Sequence, residues 1–533
     1  MPEHAGPPST GSRRAPLPDP MPPQRPERHY GDRTVTCFTE RPKALWQMVE
    51  TAVTRRGEGE ALVAGERRWS WAALADAAAR LAGGLHSRGI GARDRVLLLL
   101  GNQAGFVIAS LALTRLGAVS VPLSIRSAPP EVDYVAAHCG ARLALVEDDL
   151  LGHVPASIPA ISASALDTLD AAPPPVAPVA EEDTAVILYT SGTTGRPKGA
   201  MLAHLNIVHS ALHYEVAMTL GPDDRSVVAV PLSHVTGLVA QLWTMAHVAG
   251  TLVLLPAFKA GALLRLAERE RVTHTILVPA MYQLCLLQED PARFDLAAWR
   301  VGGFGGAPMA PATIAALAEA VPSLGLVNCY GATETASPAT IMPPGHTVRK
   351  PDSVGIAVAC GELMIVDSEG RALPPDTPGE VWIRGPMVVG GYWADPAATS
   401  LAFTEGWWHS GDLGRLDAAG YLHILDRIKD LINRGGYKVF TSEVEAVLLQ
   451  HPQVVEAAVV GYACPVLGER VRAFACLRES VDSRELQAFC AARMADYKVP
   501  ERWSLGRDPL PRNANGKLLK KALRERPVEE TDP

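Results

Sequence analysis

Residues 188–199 read LYTSGTTGRPKG: four Thr or Ser hydroxyls, three glycines, Arg196 and Lys198 in one short segment. Such a run has no apolar face to bury. Its residue types suit phosphate instead. Glycines allow unusual backbone angles and close approach, and hydroxyls and free backbone N–H groups cradle phosphate oxygens. Arg196 and Lys198 neutralise them. The segment overlaps the end of TAVILYT, an apolar run that reads as a buried strand, so it stands where a phosphate-binding loop stands. It is not a Walker A loop, because Lys198 is followed by Gly199 and not by Ser or Thr. Nor is it a GxGxxG dinucleotide turn. The plain alternative is a flexible surface loop, against which the flanking strand and Pro197-Lys198-Gly199 both weigh.

Other polar motifs follow in order: GGAP at 305–308, YGATE at 330–334, GYW at 391–393, HSGDL at 409–413, DRIKDLINRGGYKV at 426–439 and PRNANGK at 511–517. Together with the first segment they resemble the signatures of the AMP-forming adenylating enzymes. That superfamily comprises acyl- and aryl-CoA synthetases, nonribosomal peptide adenylation domains and beetle luciferases. The resemblance covers about residues 40 to 525. Each motif alone is modest; YTSGTTGRPKG with YGATE and a terminal NGK is specific.

The resemblance implies a chemistry that needs these residue types. A carboxylate is a poor electrophile because its leaving group would be oxide. Attack on the α-phosphorus of ATP gives an acyl-adenylate, whose leaving group is AMP. The transition state spreads negative charge over phosphate, where cations and fixed dipoles act most strongly. By resemblance, Thr190, Ser191, Gly192, Thr193, Thr194, Gly195 and Lys198 hold the β- and γ-phosphates. Gly305, Gly306, Ala307 and Pro308 line the adenine side, and Tyr330, followed by Gly331, offers its ring to adenine. Thr333 contacts the α-phosphate. Glu334 binds Mg2+, an ion that takes oxygen ligands and keeps several waters. Asp412 accepts from the ribose hydroxyls, with Arg427 beside it. Without this company Asp412 would be a turn residue and Glu334 a helix N-terminal charge.

Lys517 lies in a polar turn near the C-terminus, where an exposed lysine ordinarily serves solubility. The resemblance gives it a catalytic part instead, bridging the α-phosphate region and the substrate carboxylate. Asn515 and Gly516 suit a tight turn presenting one charge. The small C-terminal unit would swing about a hinge at Lys429, withdrawing Lys517 and bringing Gly435 and Gly436 to the site. There a pantetheine arm of CoA passes close to backbone. Plant hydroxycinnamate ligases and luciferases carry lysine where this chain has Asn433, and glutamine where it has Lys438. The chain departs from both subgroups.

His234, in PLSHVTG, matches the residue that gates the carboxylate entrance in many relatives; otherwise it is a satisfied loop histidine. Amino-acid-activating members place an aspartate near this motif to pair the substrate ammonium. Here stand Ser233, His234, Val235 and Thr236, and a buried ammonium without a partner is costly. The expected walls, residues 301–306, Cys329 and residues 332–337, are mostly small and apolar. An uncharged acyl or aryl tail is expected. A carrier-protein phosphopantetheine is the alternative acceptor to CoA, a nucleotide-binding protein without catalysis is a third reading, and a homodimer is left open.

These residues need a scaffold of matching size. A chain of 533 residues exceeds one hydrophobic core. Its 47% hydrophobic and 20% charged residues are ordinary for a globular protein. A net charge of -7 argues against a general nucleic-acid binder. The eight cysteines form no CxxC pair, so they read as reduced thiols in a cytoplasmic protein. The best membrane-span candidate, residues 106–123, is broken by Arg115, Gly117 and Pro122 and is too short.

Residues 1–40 are Pro-rich and polar and are expected to be disordered. A large α/β domain over 41–425 follows, with doubly wound sheets and a distorted β-barrel. Ser70 caps a predicted helix, RVLLLL at 95–100 is a predicted parallel strand, and the βαβ rhythm continues to about residue 330. Short β-segments such as GELMIVD and GEVWIRG come next. Residues 426–430 are the expected hinge, and 431–533 a small mobile α+β domain with helices over 442–450 and 483–494.

Overall fold

Short, wholly apolar runs become the interior strands of parallel sheets because helices cover both faces. The computed structural model describes residues 21–190, 196–512 and 518–527. A six-stranded sheet runs in the order Lys198–Ala203, Thr184–Thr190, Val119–Pro122, Arg95–Leu99, Leu143–Val146, Ala160–Ser162. It is parallel except for its first pair. A nine-stranded sheet has six parallel strands at its centre, Gly325–Tyr330, Val301–Gly305, His274–Leu277, Arg225–Val228, Thr251–Leu254 and Glu60–Ala64.

Helices fill the space around these sheets. Ser70 does cap the helix Trp71–His86, its side chain accepting from Ala73 N. The Ala104–Arg115 helix is buried on nearly every face, which accounts for the apolar stretch weighed as a membrane span. Among the described residues no helix is long and apolar enough to cross a membrane.

A five-stranded antiparallel sheet follows, with Glu362–Val366, Gly379–Arg384 and Trp407–Leu416 in sequence and Leu422–Arg427 added to the last. The smaller C-terminal domain has its own sheet, built on the long hairpin Val454–Cys464 and Gly468–Leu477. Its core is separate, with Ile432, Val439, Val444, Leu448 and Val471 all nearly inaccessible. The expected helices appear as Thr441–Leu448 and Ser483–Ala491. All eight cysteines are unpaired and buried.

One expectation fails. Residues 24–38 do not belong to a disordered segment: Gln24–His29 and Arg33–Phe38 form an antiparallel hairpin. Tyr30 and Gly31 take left-handed angles in its turn. Val35 and Cys37 bury one face, and Phe38 is buried at the strand's end. The other tie is electrostatic: Arg41 bonds both Glu27 and Glu181 at 2.6–3.1 Å, and His29 Nδ1 lies 3.0 Å from Glu182. The proline-rich composition conceals this alternation, and the acidic partners lie about 140 residues away in sequence.

Candidate active site

The first motif closes a hairpin. Thr190 and Lys198 are the last register pair between Thr184–Thr190 and Lys198–Ala203. Between them, Ser191, Gly192, Thr193, Thr194 and Gly195 lie outside the described residues. Its base is pinned by the Tyr134 hydroxyl, which donates to Pro197 O at 3.0 Å. On the opposite side, Trp393 N donates to Gly199 O at 2.7 Å and Met201 N to Gly391 O at 3.1 Å. The GYW motif is therefore stitched to the 198–203 strand.

The residues expected at adenine and ribose converge at strand ends. Gly305 and Tyr330 end neighbouring parallel strands. The Tyr330 hydroxyl donates to Asp412 Oδ2 at 2.6 Å. Arg427 Nε lies 2.6 Å from Asp412 Oδ1, a pairing set by strand register. Asp412 is buried and its backbone N–H donates to Ser410 Oγ at 3.0 Å. Burial, then the Asp412 charge, pushes the Tyr330 hydroxyl well above its usual range, so it remains a donor. Gly306 has φ +77° and open space where a Cβ would stand, a surface that a flat ring can approach. Ala307 and Pro308 follow it on the exposed rim.

Glycine is obligatory at 331, where a Cβ would lie 1.6 Å from Ser337 O. The chain turns back sharply here. Ala336 and Ser337 hold φ of 45° and 104°, strained values for residues with a Cβ. The strain is held by neighbours: Ser337 Oγ lies 2.9 Å from the Tyr214 hydroxyl, and Thr335 Oγ1 donates to Ser337 O at 3.1 Å. This tight turn presents Thr333, half-buried, and Glu334, buried. Glu334 Oε1 accepts from the Tyr392 hydroxyl at 2.9 Å, and Glu334 O accepts from Val389 N at 2.9 Å.

His234 is half-buried, just before a π-helix over Thr236–Trp243. Its Nδ1 accepts from Thr236 N at 3.3 Å, which puts the proton of the neutral ring on Nε2. The wide helical turn, a form often found at functional sites, is held by Gln241, which donates to Val227 O at 2.7 Å.

Comparison with known proteins gives one answer. Residues 49–393 match the family described as AMP-binding enzyme, and residues 443–517 match the AMP-binding enzyme C-terminal domain. The chain belongs to the AMP-binding enzyme family. It is 36% identical over 464 residues to a feruloyl-CoA synthase from Amycolatopsis sp, covering 86% of this chain and 94% of the relative. A long-chain-fatty-acid–CoA ligase from Mycobacterium tuberculosis is 32% identical, covering 86% and 93%. The o-succinylbenzoate CoA synthetase of Bacillus subtilis, solved with its acyl-adenylate intermediate, superimposes with TM-score 0.85 at 30% identity, covering 91% of this chain and 99% of that one. This AMP-binding enzyme is an AMP-forming acid–thiol ligase that works with ATP, Mg2+ and CoA.

The donor set of this AMP-binding enzyme fits that metal. Glu334, Thr333 and Thr190 offer oxygen, the ligand type that Mg2+ takes. Its remaining expected residues lie at the start of the small domain and beyond. Lys429 is exposed in the segment after Leu422–Arg427, and its carbonyl accepts from Arg524 at 3.3 Å. Gly435 and Gly436 form a two-residue hairpin turn with φ of 60° and 93°, angles that favour glycine. This turn packs on the small domain itself, Gly435 N donating to Leu467 O at 2.7 Å. Lys517 lies outside the described residues. Sequence reasoning gave no part to Tyr392, although its motif was noted, nor to Tyr214, whose spacing from Ser337 carries no local signal.

Proposed function

We propose that this chain activates a carboxylic acid with an uncharged acyl or aryl tail, in two half-reactions at one site. In the first, the acid's carboxylate oxygen attacks the α-phosphorus of ATP, the bond to the bridging oxygen breaks, and pyrophosphate leaves. In the second, the CoA thiolate attacks the acyl carbonyl and AMP leaves. The observation that carries the reading is the Tyr330–Asp412–Arg427 constellation at 2.6 Å spacings, set beside the buried Glu334.

Each residue has a part in the proposal. Asp412 takes the ribose hydroxyls, and its contacts with Tyr330 and Arg427 hold the carboxylate in place. Tyr330 meets adenine, with residues 305–308 on its other side. The 190–198 hairpin holds the departing pyrophosphate, with Lys198 supplying charge. Thr333 donates to the α-phosphate, and Glu334 with neighbouring hydroxyls holds Mg2+, which supplies positive charge to the phosphates when bound. Lys517 stabilises the charge that develops at the α-phosphate, His234 gates the acid's entry, and Lys429 is the pivot that later brings Gly435 and Gly436 to the pantetheine arm.

The acid's tail is inferred from chemistry. The walls are small or apolar, with Gly302, Gly303, Cys329 and Ala336 buried. No aspartate near His234 could pair an α-ammonium. The eight buried thiols support a cytoplasmic location. A panel of alkanoic, arylalkanoic, hydroxycinnamic and amino acids, assayed for pyrophosphate release with and without CoA, tests the proposal. Uncharged aryl or alkyl acids should release pyrophosphate, and CoA should raise the turnover. Release with amino acids alone would overturn the tail assignment. Thioester formed on a carrier protein but not on CoA would change the acceptor.

A further inference from the structure

Tyr392 touches both halves of the phosphate machinery. Its hydroxyl donates to Glu334 Oε1 at 2.9 Å, and the Lys198 ammonium lies 5.2 Å from the centroid of its ring. The side chain is itself fixed. It is 7% exposed, its ring meets Phe403 edge-on at 5.8 Å, and its backbone N–H donates to Thr399 Oγ1 at 2.9 Å. Its backbone pairs with Ala200, two residues past Lys198. Val389, three residues before it, holds the backbone of Glu334.

We propose that Tyr392 is a positioning residue that locks the carboxylate of Glu334 and the ammonium of Lys198 into one frame, so that the divalent cation and the pyrophosphate end of ATP are met as a unit. This rests on the reading of Glu334 as the metal carboxylate. A donor fixed on Oε1 stops the carboxylate turning about its last bond. A cation bound by it is then met in one orientation. The ring does the second half of the work, because an ammonium is drawn to an aromatic face and so held on the hairpin side of the site.

Two substitutions separate the hydroxyl from the ring. Tyr392→Phe keeps the ring and removes the donor; Tyr392→Leu removes both. Mn2+ binding, followed by the loss of the free-ion electron paramagnetic signal in the presence of α,β-methylene-ATP, reads the metal half without turnover. Pyrophosphate binding in EDTA, followed by calorimetry, reads the cation half. Tyr392→Phe should weaken Mn2+ binding by about ten- to a hundredfold, the usual effect of removing a group that orients a metal ligand, and leave pyrophosphate binding in EDTA within twofold. Tyr392→Leu should weaken both. If Tyr392→Leu does not fold, Tyr392→Phe decides the carboxylate half and Tyr392→Met, which also lacks the ring, decides the ammonium half; wild-type pyrophosphate binding without the ring would overturn that half.

Glu334→Gln is the control that tells two failures apart. Loss of Mn2+ binding in Glu334→Gln with wild-type binding in Tyr392→Phe would overturn the positioning role. Wild-type Mn2+ binding in Glu334→Gln would remove the metal assignment itself, and the inference with it.

Discussion

Asp426 and Arg427 are neighbours in the chain and bond in opposite directions. Arg427 Nε pairs with Asp412 at 2.6 Å. The Asp426 carboxylate accepts from the backbone N–H and the hydroxyl of Thr441, the first residue of the small domain's Thr441–Leu448 helix. One peptide unit thus joins the Asp412 carboxylate to the first turn of the small domain's helix. The tie is reinforced by Lys520, which donates to Thr441 Oγ1 at 2.8 Å and pairs with Glu445 at 2.7 Å. A carboxylate at a helix N-terminus satisfies an orphan N–H and suits the helix dipole.

Asp426→Ala should loosen this tie. Losing a cap of this kind costs about 1 kcal/mol. Cleavage in the 428–431 segment by a low concentration of protease should accelerate severalfold, while unfolding of the large domain stays within a degree or two of wild type. Unchanged cleavage would mean that Asp426 does not hold the small domain in this arrangement.

Acid should destabilise the fold in a defined window. Burial pushes His204 and His274 down to about 4 and His209 down to about 3, so all three are neutral when folded. In the unfolded chain they titrate near about 6.5. Between these values the unfolded chain binds more protons, so stability is fully present above about pH 6.5 and drains as pH falls towards 4. Each histidine contributes at most about 1.4 kcal/mol per pH unit. Urea unfolding at pH 7, 6 and 5 should show the decline. His209→Leu should reduce its slope by about one proton, and an unchanged slope would contradict the assignment.

The scaffold was legible where the signal is local. The Ser70 cap and the apolar strands each declare themselves within a dozen residues. What escaped is long-range. The 24–38 hairpin depends on Glu181 and Glu182, which no window around residue 30 contains. Tyr392 gained a part only when folding brought it to Glu334, 58 positions earlier. The strained turn at Ala336 and Ser337 could not be read from alanine and serine, neither of which announces a positive φ.

Lys517→Ala removes one electrostatic contact proposed for the adenylation transition state, which should cost about 10²–10³ in pyrophosphate release. Given synthetic acyl-adenylate and CoA, the variant should make thioester at close to the wild-type rate, because the proposed rotation takes the lysine away. Lys429→Pro fixes the backbone dihedral at the proposed hinge and should show the converse, adenylation retained and thioester formation slowed. Rapid-quench measurement of each half-reaction on both variants checks this. Equal losses in both half-reactions for Lys517→Ala would contradict domain rotation in this chain.

Oxygen transfer reports the acyl-adenylate most directly. The acid that performs best in the panel is labelled with oxygen-18 in both carboxylate oxygens and turned over with ATP, Mg2+ and CoA. Attack on the α-phosphorus forms a bond from one labelled oxygen, and thiolysis then leaves that oxygen on AMP. Mass spectrometry should find one labelled oxygen in each AMP and none in pyrophosphate. Unlabelled AMP, or label recovered in inorganic phosphate, would contradict an acyl-adenylate mechanism.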